Sequence, residues 1–369
     1  MNVAIIVDGL LAGGAERQAI LTAAQVAGRG HAAHVVVCNP GNDYADLCES
    51  LGVEIVHVTA RGPLRLGRVL FLTCHLRRRR IDVVHAFKGS PSTYGRLAAR
   101  LAGVPCIFGG YRAVISPSRP FRLANRVLSW GTAGWIANSE RVKRTVMADY
   151  GVPSARVHVV RNAVHPSTYE SRLTRAEARA AFGVAGDPGV ITMIANLRRE
   201  KNHEMLLRVA RRLIDGGRDV RFLLAGGGPE RSRLEGVIRR MALERHVRLL
   251  GHVANTPDLL RATDVVVLTT VAEGLPNALL EAGAAGLPCV STENGGASEV
   301  VLPGRTGYLV LVNDDDAMVA RLGELIGDPE RRAAMGAAAR EHVLTGFSPA
   351  ELGDRILVVY SAGLAAARR

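Results

Sequence analysis

Short runs of apolar, β-branched residues alternate with helical patterns along the entire chain, and this alternation constrains the fold more than any other feature. Strands that are buried on both faces show nearly continuous apolar runs, and strands that alternate with helices form parallel sheets covered by helices. The sequence therefore predicts an α/β protein. The predicted strands are residues 3–7, 34–38, 53–57, 82–86, 105–108, 134–137, 157–160, 190–195, 220–225, 247–250, 265–268, 288–291 and 308–311.

A length of 369 residues suits two domains better than one. A polar segment between Asn162 and Gly189 interrupts the alternation, so we predict a first domain at residues 1–165, a linker at 166–187 and a second domain at 188–347. The helical pattern at residues 348–369 predicts a helix that packs back on the first domain. Two doubly wound, Rossmann-like sheets facing a central cleft would follow, with ligands at the strand ends.

The most informative motif is Glu273-Gly-Leu-Pro-Asn-Ala-Leu-Leu-Glu281, which follows a predicted strand. Glu273 is expected in the loop at the carboxyl edge of the sheet. Pro276 suits the first turn of a helix, and the amides of Asn277 and Ala278 would then form an anion site at the positive helix end. Glu281 lies further along that helix. Two carboxylates beside a phosphate-sized site suit a nucleotide sugar.

The net charge of +13 is concentrated in the first half of the chain. Residues 1–187 hold 24 Lys and Arg against 12 Asp and Glu, and residues 188–369 hold 23 against 22. One cluster contains Arg61, Arg65, Arg68 and the four arginines at 77–80. It indicates attraction to an anionic membrane or acceptor, or else an arginine-rich composition. No zinc spacing or aromatic–basic pattern points to nucleic acid.

The remaining composition restricts the location of the protein. No run of 18 apolar residues is present, and the chain begins with a predicted strand rather than a signal peptide. Five scattered cysteines without a Cys-x-x-Cys motif are typical of a reducing compartment. We expect a cytoplasmic protein, peripheral on the inner face of the cell membrane if the basic cluster binds lipid.

Several short motifs follow one another in a fixed order along nearly the whole chain. They are Gly13-Gly-Ala-Glu16, Ile136-Ala-Asn-Ser139, Val160-Arg-Asn162, Leu197-x-x-x-Lys201, Gly226-Gly-Gly-Pro229, Gly251-His-Val253, Glu273-x7-Glu281, Gly295-Gly-Ala-Ser-Glu299 and Gly304-Arg-Thr-Gly-Tyr308. In this order and spacing the chain resembles family 4 of the retaining glycosyltransferases, which have the two-domain GT-B fold. The resemblance implies that Glu273 holds hydroxyls of the donor sugar and Glu281 those of the ribose. It also implies backbone contacts to sugar, phosphate or base at Gly274, Leu275, Asn277, Ala278 and Val253.

Lys201 follows the first predicted strand of the second domain, where a cation would neutralise a diphosphate leaving group. The alternative is a surface lysine at a helix start, a position that disfavours cations. The family has an arginine five positions before this lysine, but this chain has Asn196. We expect Arg198 to reach the phosphates from a shifted position, or Asn196 to contact them through an uncharged hydrogen bond.

The resemblance places Gly13 and Gly14 against the diphosphate and the acceptor, with a plain tight turn as the alternative. The family often has a histidine after the strand at 105–108, where this chain has Gly109-Gly-Tyr-Arg112. Tyr111 and Arg112 are therefore acceptor-side candidates. His85 is another, with a buried structural histidine as its alternative.

The predicted reaction is retaining transfer of a sugar from a nucleoside diphosphate to a hydroxyl acceptor, such as a lipid-linked saccharide or a polysaccharide precursor. The resemblance implies front-face attack without metal or cofactor, and Asp314-Asp-Asp316 is expected to cap a helix rather than bind a metal. Uridine is preferred as the base on prevalence alone. A nucleotide-sugar epimerase and a non-catalytic binding protein are the alternatives, the latter suggested by Asn196 and the missing histidine.

Overall fold

The structure is a computed structural model, and it describes residues 1–369 except 11–12, 40, 42, 59–65, 88–89, 113, 115–117, 166–168 and 369. Arg61 and Arg65 of the predicted basic cluster lie outside the described residues. The chain forms two compact units. Unit 1 contains Met1–Ala163 together with Pro349–Arg369, and unit 2 is the continuous segment Val164–Ser348.

Unit 1 is built on a parallel sheet of seven strands, whose apolar runs are buried on both faces. The strands are β1 (Asn2–Val7), β2 (Ala32–Val37), β3 (Glu54–His57), β4 (Val83–Ala86), β5 (Cys106–Tyr111), β6 (Gly134–Ala137) and β7 (Val157–Val159). Their order is β3-β2-β1-β4-β5-β6-β7, so the direction of winding reverses between β1 and β4. This is the doubly wound arrangement.

Helices cover both faces of the unit 1 sheet. They are α1 (Gly14–Ala27), α2 (Ala45–Ser50), α3 (Leu66–Arg78), α4 (Ser90–Ala102), α5 (Arg119–Ser129), α6 (Glu140–Tyr150) and α14 (Pro349–Ala367). Because side chains alternate along a strand, Ile5 packs in the core beneath α1 and α14, whereas Ile6 packs in the core beneath α3 and α4. The helix at the end of the chain therefore completes the unit that the first residues begin.

Unit 2 contains a second doubly wound parallel sheet. Its strands are β8 (Gly189–Ile194), β9 (Val220–Ala225), β10 (Val247–Gly251), β11 (Val265–Leu268), β12 (Cys289–Thr292) and β13 (Gly307–Val310), in the order β10-β9-β8-β11-β12-β13. Its helices are α7 (Arg175–Ala181), α8 (His203–Asp215), α9 (Arg231–Arg240), α10 (Thr256–Ala262), α11 (Asn277–Ala284), α12 (Asp315–Gly327) and α13 (Pro329–Gly346). All thirteen predicted strands are present with bounds within three residues, which confirms the predicted α/β fold class.

The segment at 166–187, predicted as a linker, lies within unit 2. Thr174 and Glu177 form a capping box that begins α7. Arg175 and Arg179 of this helix reach the buried carboxylate of Asp264, at 2.6 and 2.8 Å. The polar composition that suggested a linker therefore includes arginines that bind a buried carboxylate of the same unit.

Helix α3 differs from its prediction in length and in its apolar face. The apolar spacing at residues 64–80 predicts a helix in which Leu66, Val69, Leu70, Leu72 and Leu76 supply apolar contacts. Residues 64 and 65 lie outside the described residues, and the described helix ends at Arg78, two residues before the predicted end. Val69, Leu72 and Leu76 are buried as expected, but Leu66 and Leu70 are 62% and 64% exposed. The helix carries more apolar residues than the sheet beneath it covers.

Charge is divided unequally between the units. Unit 1 has 24 Lys and Arg against 11 Asp and Glu and so carries the whole net charge of +13, whereas unit 2 has 23 of each sign. Within the described part of the chain, no helix is long and apolar enough to cross a membrane. Cys38, Cys48, Cys106 and Cys289 are buried, and Cys74 is exposed.

Candidate active site

The strand order in unit 2 reverses between β8 and β11. Open parallel sheets bind ligands at such a point, outside the carboxyl ends of the strands. The chain that leaves β8 continues through Asn196 and Arg198 to Lys201, and the chain that leaves β11 continues through Glu273 into α11. Arg198, Lys201 and Glu273 therefore come from neighbouring loops at one edge of one sheet.

Lys201 and Glu273 form an ion pair at this edge. The Lys201 ammonium nitrogen lies 2.6 Å from the Glu273 carboxylate oxygen Oε2, although the residues are 72 positions apart. Their side chains are 17% and 23% exposed, so the pair is only partly accessible. Partly buried charges are screened less by salt than exposed ones. The site thus holds a fixed cation suited to phosphate oxygens beside a fixed acceptor suited to hydroxyl groups.

A buried threonine positions the two loops. The Thr269 hydroxyl lies 3.0 Å from the carbonyl oxygens of both Lys201 and Asn202, and its single proton is shared between them. The Val271 N–H donates to the Glu200 carbonyl over 2.9 Å. These bonds hold the lysine loop against the loop of its carboxylate partner. Threonine at a strand end is too common for the sequence to reveal this role.

The other side of the Glu273 loop is held by the segment after β12. The Thr292 hydroxyl donates to the Thr270 carbonyl over 2.6 Å, and the Glu273 N–H donates to the Asn294 carbonyl over 3.3 Å. The Asn294 side-chain oxygen accepts from the N–H of Gly296, 3.4 Å away, and from that of the next residue. Sequence reasoning missed Asn294, although asparagine before two glycines is a signal of such a turn.

Gly296 allows the backbone to pack directly on the Glu273 loop. A Cβ atom at this position would lie 1.7 Å from the carbonyl oxygen of Gly274 and 3.2 Å from the Cα of Leu275. No side chain fits in that space. The Gly295-Gly296 motif therefore fixes the position of the loop that carries Gly274 and Leu275, both of which are buried.

Helix α11 begins one residue later than predicted. Pro276 is its N-cap, with extended backbone (φ −74°, ψ 112°), and Asn277 and Ala278 are its first residues. The ring of Pro276 still orients the entry to the helix without removing an N–H from it. The first N–H groups of a helix have no acceptor within it and favour anions. Glu281, five residues into this helix, is half-buried.

The loop after β8 rests on the Gly226-Gly-Gly-Pro229 turn. Gly226 and Gly228 have φ values of +150° and +157°, and a Cβ atom at either would lie within 2.3 Å of the carbonyl oxygen of Ala195 or Leu197. At the end of β10, Gly251 accepts a 2.7 Å bond from the Gly226 N–H. Val253, two residues further along, is half-buried and packs against a small apolar cluster.

Asn196 and Arg198 are both exposed and flank the buried Leu197. Arg199 forms an ion pair with Glu230 at 3.5 Å, whereas Arg198 forms no ion pair with any described residue. Arg198 instead borders a cavity of about 290 Å³. The other residues that line this cavity are Arg199, Asn202, His203, Glu204, Glu230, Arg233 and Leu234. Its pattern of contacts makes Arg198 a better candidate than Arg199 for a second phosphate-binding cation.

Unit 1 contains the other candidates. Gly13 is the N-cap of α1, and Gly14 is the first residue of this helix of 14 residues. The Gly13 N–H donates to the Tyr44 hydroxyl over 3.0 Å, and that hydroxyl donates to the Gly13 carbonyl over 2.9 Å. Tyr44, which sequence reasoning did not single out, thus stabilises the Gly13 backbone through two hydrogen bonds within unit 1.

His85 lies in the core of unit 1 rather than on an accessible edge. Its ring is 1% exposed, and its Nδ1 lies 2.9 Å from the hydroxyl of Tyr360 on α14. Burial, together with the charge of Arg112, holds the pKa of His85 well below its usual value, so the ring is neutral. The structure therefore favours the alternative of a structural histidine.

Tyr111 and Arg112 differ in their surroundings at the end of β5. Tyr111 is buried against the ring of Tyr150. The guanidinium of Arg112 lies 4.0 Å from the centre of the Phe87 ring and donates to the side-chain oxygen of Asn162. Burial lowers the pKa of Arg112 to about 9, which leaves it charged at neutral pH. Arg112 is thus the acceptor-side candidate that keeps a partly accessible charge.

Comparison with known proteins identifies the family. The model described as Glycosyltransferase Family 4 matches residues 12–168, and the model described as Glycosyl transferases group 1 matches residues 174–342. D-inositol 3-phosphate glycosyltransferase 1 of Catenulispora acidiphila is 30% identical over 354 residues, which cover 88% of this chain and 84% of that protein. The chain belongs to glycosyltransferase family 4.

Two further proteins resemble this glycosyltransferase. The UDP-Gal:alpha-D-GlcNAc-diphosphoundecaprenol alpha-1,3-galactosyltransferase of Escherichia coli is 26% identical over 296 residues, which cover 77% of this chain and 76% of that enzyme. Anabaena HepE, solved in complex with UDP and glucose, is 22% identical and superposes with a TM-score of 0.88 over 98% of this chain and 100% of its own. The structural likeness confirms the predicted GT-B fold.

The acidic triplet of this glycosyltransferase has the capping role that was predicted for it. Asp314 is the N-cap of α12 and accepts from the Ala317 N–H over 2.9 Å. Asp315 pairs with Arg208 at 2.6 Å, and Asp316 is bound by an arginine of the same helix α8. All three carboxylates therefore accept hydrogen bonds or form ion pairs within unit 2.

Proposed function

We propose that this glycosyltransferase moves a sugar, with retention of configuration, from a nucleoside diphosphate to a hydroxyl group. The observation that carries the proposal is the Lys201–Glu273 ion pair at the strand reversal of unit 2, next to the start of α11. A nucleotide sugar presents hydroxyl donors and phosphate anions in close succession. The pair supplies a carboxylate for the former and an ammonium for the latter, and the α11 amides add a second anion contact.

In the proposed reaction the bond between the anomeric carbon and the diphosphate oxygen breaks as the acceptor oxygen bonds to that carbon on the same face. The acceptor proton passes to a donor phosphate oxygen, and we propose, as the resemblance implies, that the reaction proceeds without a metal or cofactor. Lys201 and Arg198 would stabilise the charge that develops on the diphosphate. Glu273 would orient the sugar, and Glu281 would bind the ribose.

We propose a uridine donor and a lipid-linked acceptor. The E. coli relative is named for UDP-Gal and for a diphosphoundecaprenol acceptor, and HepE was solved with UDP. The excess of basic residues in unit 1 supports an anionic acceptor or membrane surface as its partner. The cytoplasmic face of the cell membrane would then be the place of the reaction.

A thermal-shift panel of nucleoside diphosphates tests the donor. A ligand that binds only the folded state adds about 2.7 kcal/mol of stability at a hundredfold excess over its Kd. UDP and a UDP-sugar are expected to raise the Tm more than GDP or ADP at equal concentration. A larger shift with GDP would replace uridine by guanosine, and no shift with any nucleotide would contradict donor binding itself.

The two glutamates are expected to separate nucleotide binding from sugar binding. Glu281→Ala should weaken binding of bare UDP by about 1–3 kcal/mol, because a ribose hydroxyl loses its acceptor. Glu273→Ala should leave UDP affinity nearly unchanged and weaken binding of the UDP-sugar. Isothermal titration with both ligands measures the difference. Equal losses of UDP affinity in the two variants would contradict the assignment.

A non-catalytic role is the second candidate, favoured by the uncharged Asn196 at the position of the family arginine. Such a protein would bind the UDP-sugar and show neither hydrolysis nor transfer. Release of radiolabelled sugar from the UDP-sugar, followed with a panel of hydroxyl acceptors, distinguishes the two. Transfer to any acceptor at a rate that Lys201→Ala lowers by about a hundredfold or more would exclude the non-catalytic role.

A further inference from the structure

Helix α5 exposes two of its apolar side chains and buries two uncharged polar ones. Leu123 and Val127 lie one turn apart on the outer side and are each 65% exposed, and Trp130, at the end of the helix, is 89% exposed. Asn125 and Ser129 lie on the inner side and are buried. This is the reverse of a sheet-covering helix, whose apolar stripe faces the core.

The inner side of α5 is fixed by a polar network, so the helix has no simple way to rotate. The buried Arg96 of α4 donates to the side-chain oxygen of Asn125, and its guanidinium lies 4.3 Å from the centre of the Trp135 ring. The Trp135 indole N–H donates to the Ser129 hydroxyl over 3.0 Å. Turning the apolar stripe inward would leave these buried polar groups without partners.

The neighbouring helix extends the apolar area. Helix α4 packs against α5, and its Leu97 and Leu101, one turn apart, are 39% and 50% exposed. We call these five residues of α4 and α5 the α4–α5 surface; its members are Leu97, Leu101, Leu123, Val127 and Trp130. An exposed apolar group of this size is characteristic of an interaction site.

The two helices of the α4–α5 surface carry only basic charges, and one of these, Arg122 of α5, is paired with the buried carboxylate of Asp149 in α6 at 3.5 Å. Residues 83–139 contain no aspartate or glutamate. Arg100, Arg119 and Arg126 are exposed on the two helices, and none of them forms an ion pair with a described residue. The surface thus combines apolar side chains with free cations, and its tryptophan is of the type enriched at the boundary of a membrane.

We infer that the α4–α5 surface binds an anionic lipid bilayer, with Trp130, Leu123 and Val127 inserted between the headgroups and the arginines bound to phosphate. The inference builds on the proposed function, because a bilayer is where a lipid-linked acceptor resides. Charge complementarity favours a membrane over a second copy of the chain, since two copies would bring identical positive surfaces together. Binding of this kind is reversible and combines apolar burial with electrostatic attraction.

Tryptophan fluorescence with vesicles tests the inference directly. The chain has two tryptophans, and Trp135 is fully buried, so a change on adding vesicles reports Trp130. Phosphatidylcholine vesicles containing phosphatidylglycerol are expected to shift the emission to the blue and to carry the protein into the pellet. Pure phosphatidylcholine should do so much less, and Trp130→Phe should abolish the shift.

Matched variants test whether the α4–α5 surface is the part of the protein that binds vesicles. Leu123→Gln combined with Val127→Gln is expected to lower the vesicle partition coefficient by about tenfold or more. Val358→Gln combined with Leu311→Gln is the control, because these side chains are 70% and 69% exposed elsewhere on the chain. All of these positions are exposed, so an unchanged Tm should accompany every substitution.

Four outcomes would overturn the inference: no blue shift with anionic vesicles, equal binding to neutral vesicles, equal losses in the two double variants, or a dimer in sedimentation that dissociates on Leu123→Gln. The UDP thermal shift is measured on the same proteins. A variant that keeps its UDP response and loses vesicle binding supports the surface. Vesicle binding by a protein without a UDP response would contradict the proposed function and leave the membrane inference standing.

Discussion

Replacing Lys201 by alanine is expected to lower kcat by about a hundredfold or more, a loss of at least about 2.7 kcal/mol of transition-state stabilisation. The reason is the fixed position of the ammonium group. The Thr269 hydroxyl bonds to the backbone carbonyl of Lys201, and the Glu273 carboxylate bonds to the ammonium itself. Charge that is already in place when the diphosphate departs stabilises it without reorganisation. The measurement is kcat at saturating donor and acceptor.

The same substitution leaves the Glu273 carboxylate without its cation, and a second variant separates this effect. If repulsion between that carboxylate and the diphosphate caused the loss, Lys201→Ala combined with Glu273→Gln would recover the rate. We expect no recovery, because the cation itself acts on the leaving group. Arg199→Ala is the control, since Arg199 is 84% exposed and already paired with Glu230. A rate near that of the wild type for Lys201→Ala would contradict the proposed role.

Arg198→Ala addresses the missing family arginine. If Arg198 supplies the second cation, its loss should resemble that of Lys201, whereas Asn196→Ala should cost much less. A wild-type rate for Arg198→Ala, together with a slow Asn196→Ala, would assign the phosphate contact to Asn196. The comparison is informative because both side chains are exposed on the same loop, so neither change disturbs the core.

Replacing Gly296 by alanine is expected to destabilise unit 2 by about 1–3 kcal/mol, the usual cost of overpacking. The new Cβ would lie 1.7 Å from the carbonyl oxygen of Gly274, which is backbone and has no rotamer to change. The loop that carries Glu273 must therefore shift. A displacement of about 1 Å at a catalytic loop costs on the order of a hundredfold in rate.

Chemical denaturation measures the first effect, and kcat/KM for the donor measures the second. Gly346→Ala is the matched control, because a Cβ atom there would meet nothing within 4 Å. Retention of both stability and kcat/KM in Gly296→Ala would show that the loop has room to move. The close contact with the Gly274 carbonyl would then not explain why position 296 is a glycine.

The sheets were predictable because each strand is a local pattern. The run at 265–268 is apolar, short and buried on both faces, and it matches β11 to the residue. The motifs likewise placed Lys201 and Glu273 in loops that follow predicted strands of the second domain. The capping by Asp314 was predictable for the same reason, since a cap depends on the three residues that follow it.

The rest of the site depends on which strands become neighbours, and single residues do not encode that. Thr269 and Asn294 stabilise the Glu273 loop from two sides only because β8 and β12 flank β11. His85 is buried because Tyr360 returns to it from 275 residues away. The reversed polarity of α5 escapes a pattern search as well, since periodicity identifies an apolar stripe without indicating which side the core will occupy.

The division of unit 1 between the two ends of the chain has a consequence for synthesis on the ribosome. Leu352, Ile356, Tyr360 and Leu364 of α14 are buried in the same core as Ile5 and Phe108. Until α14 is synthesised, one face of the unit 1 sheet therefore lacks part of its covering helices. Unit 2 is continuous in sequence and can fold before that point. Translation must pass residue 364 before the first unit is complete, so we expect chaperones to bind this polypeptide late in its elongation.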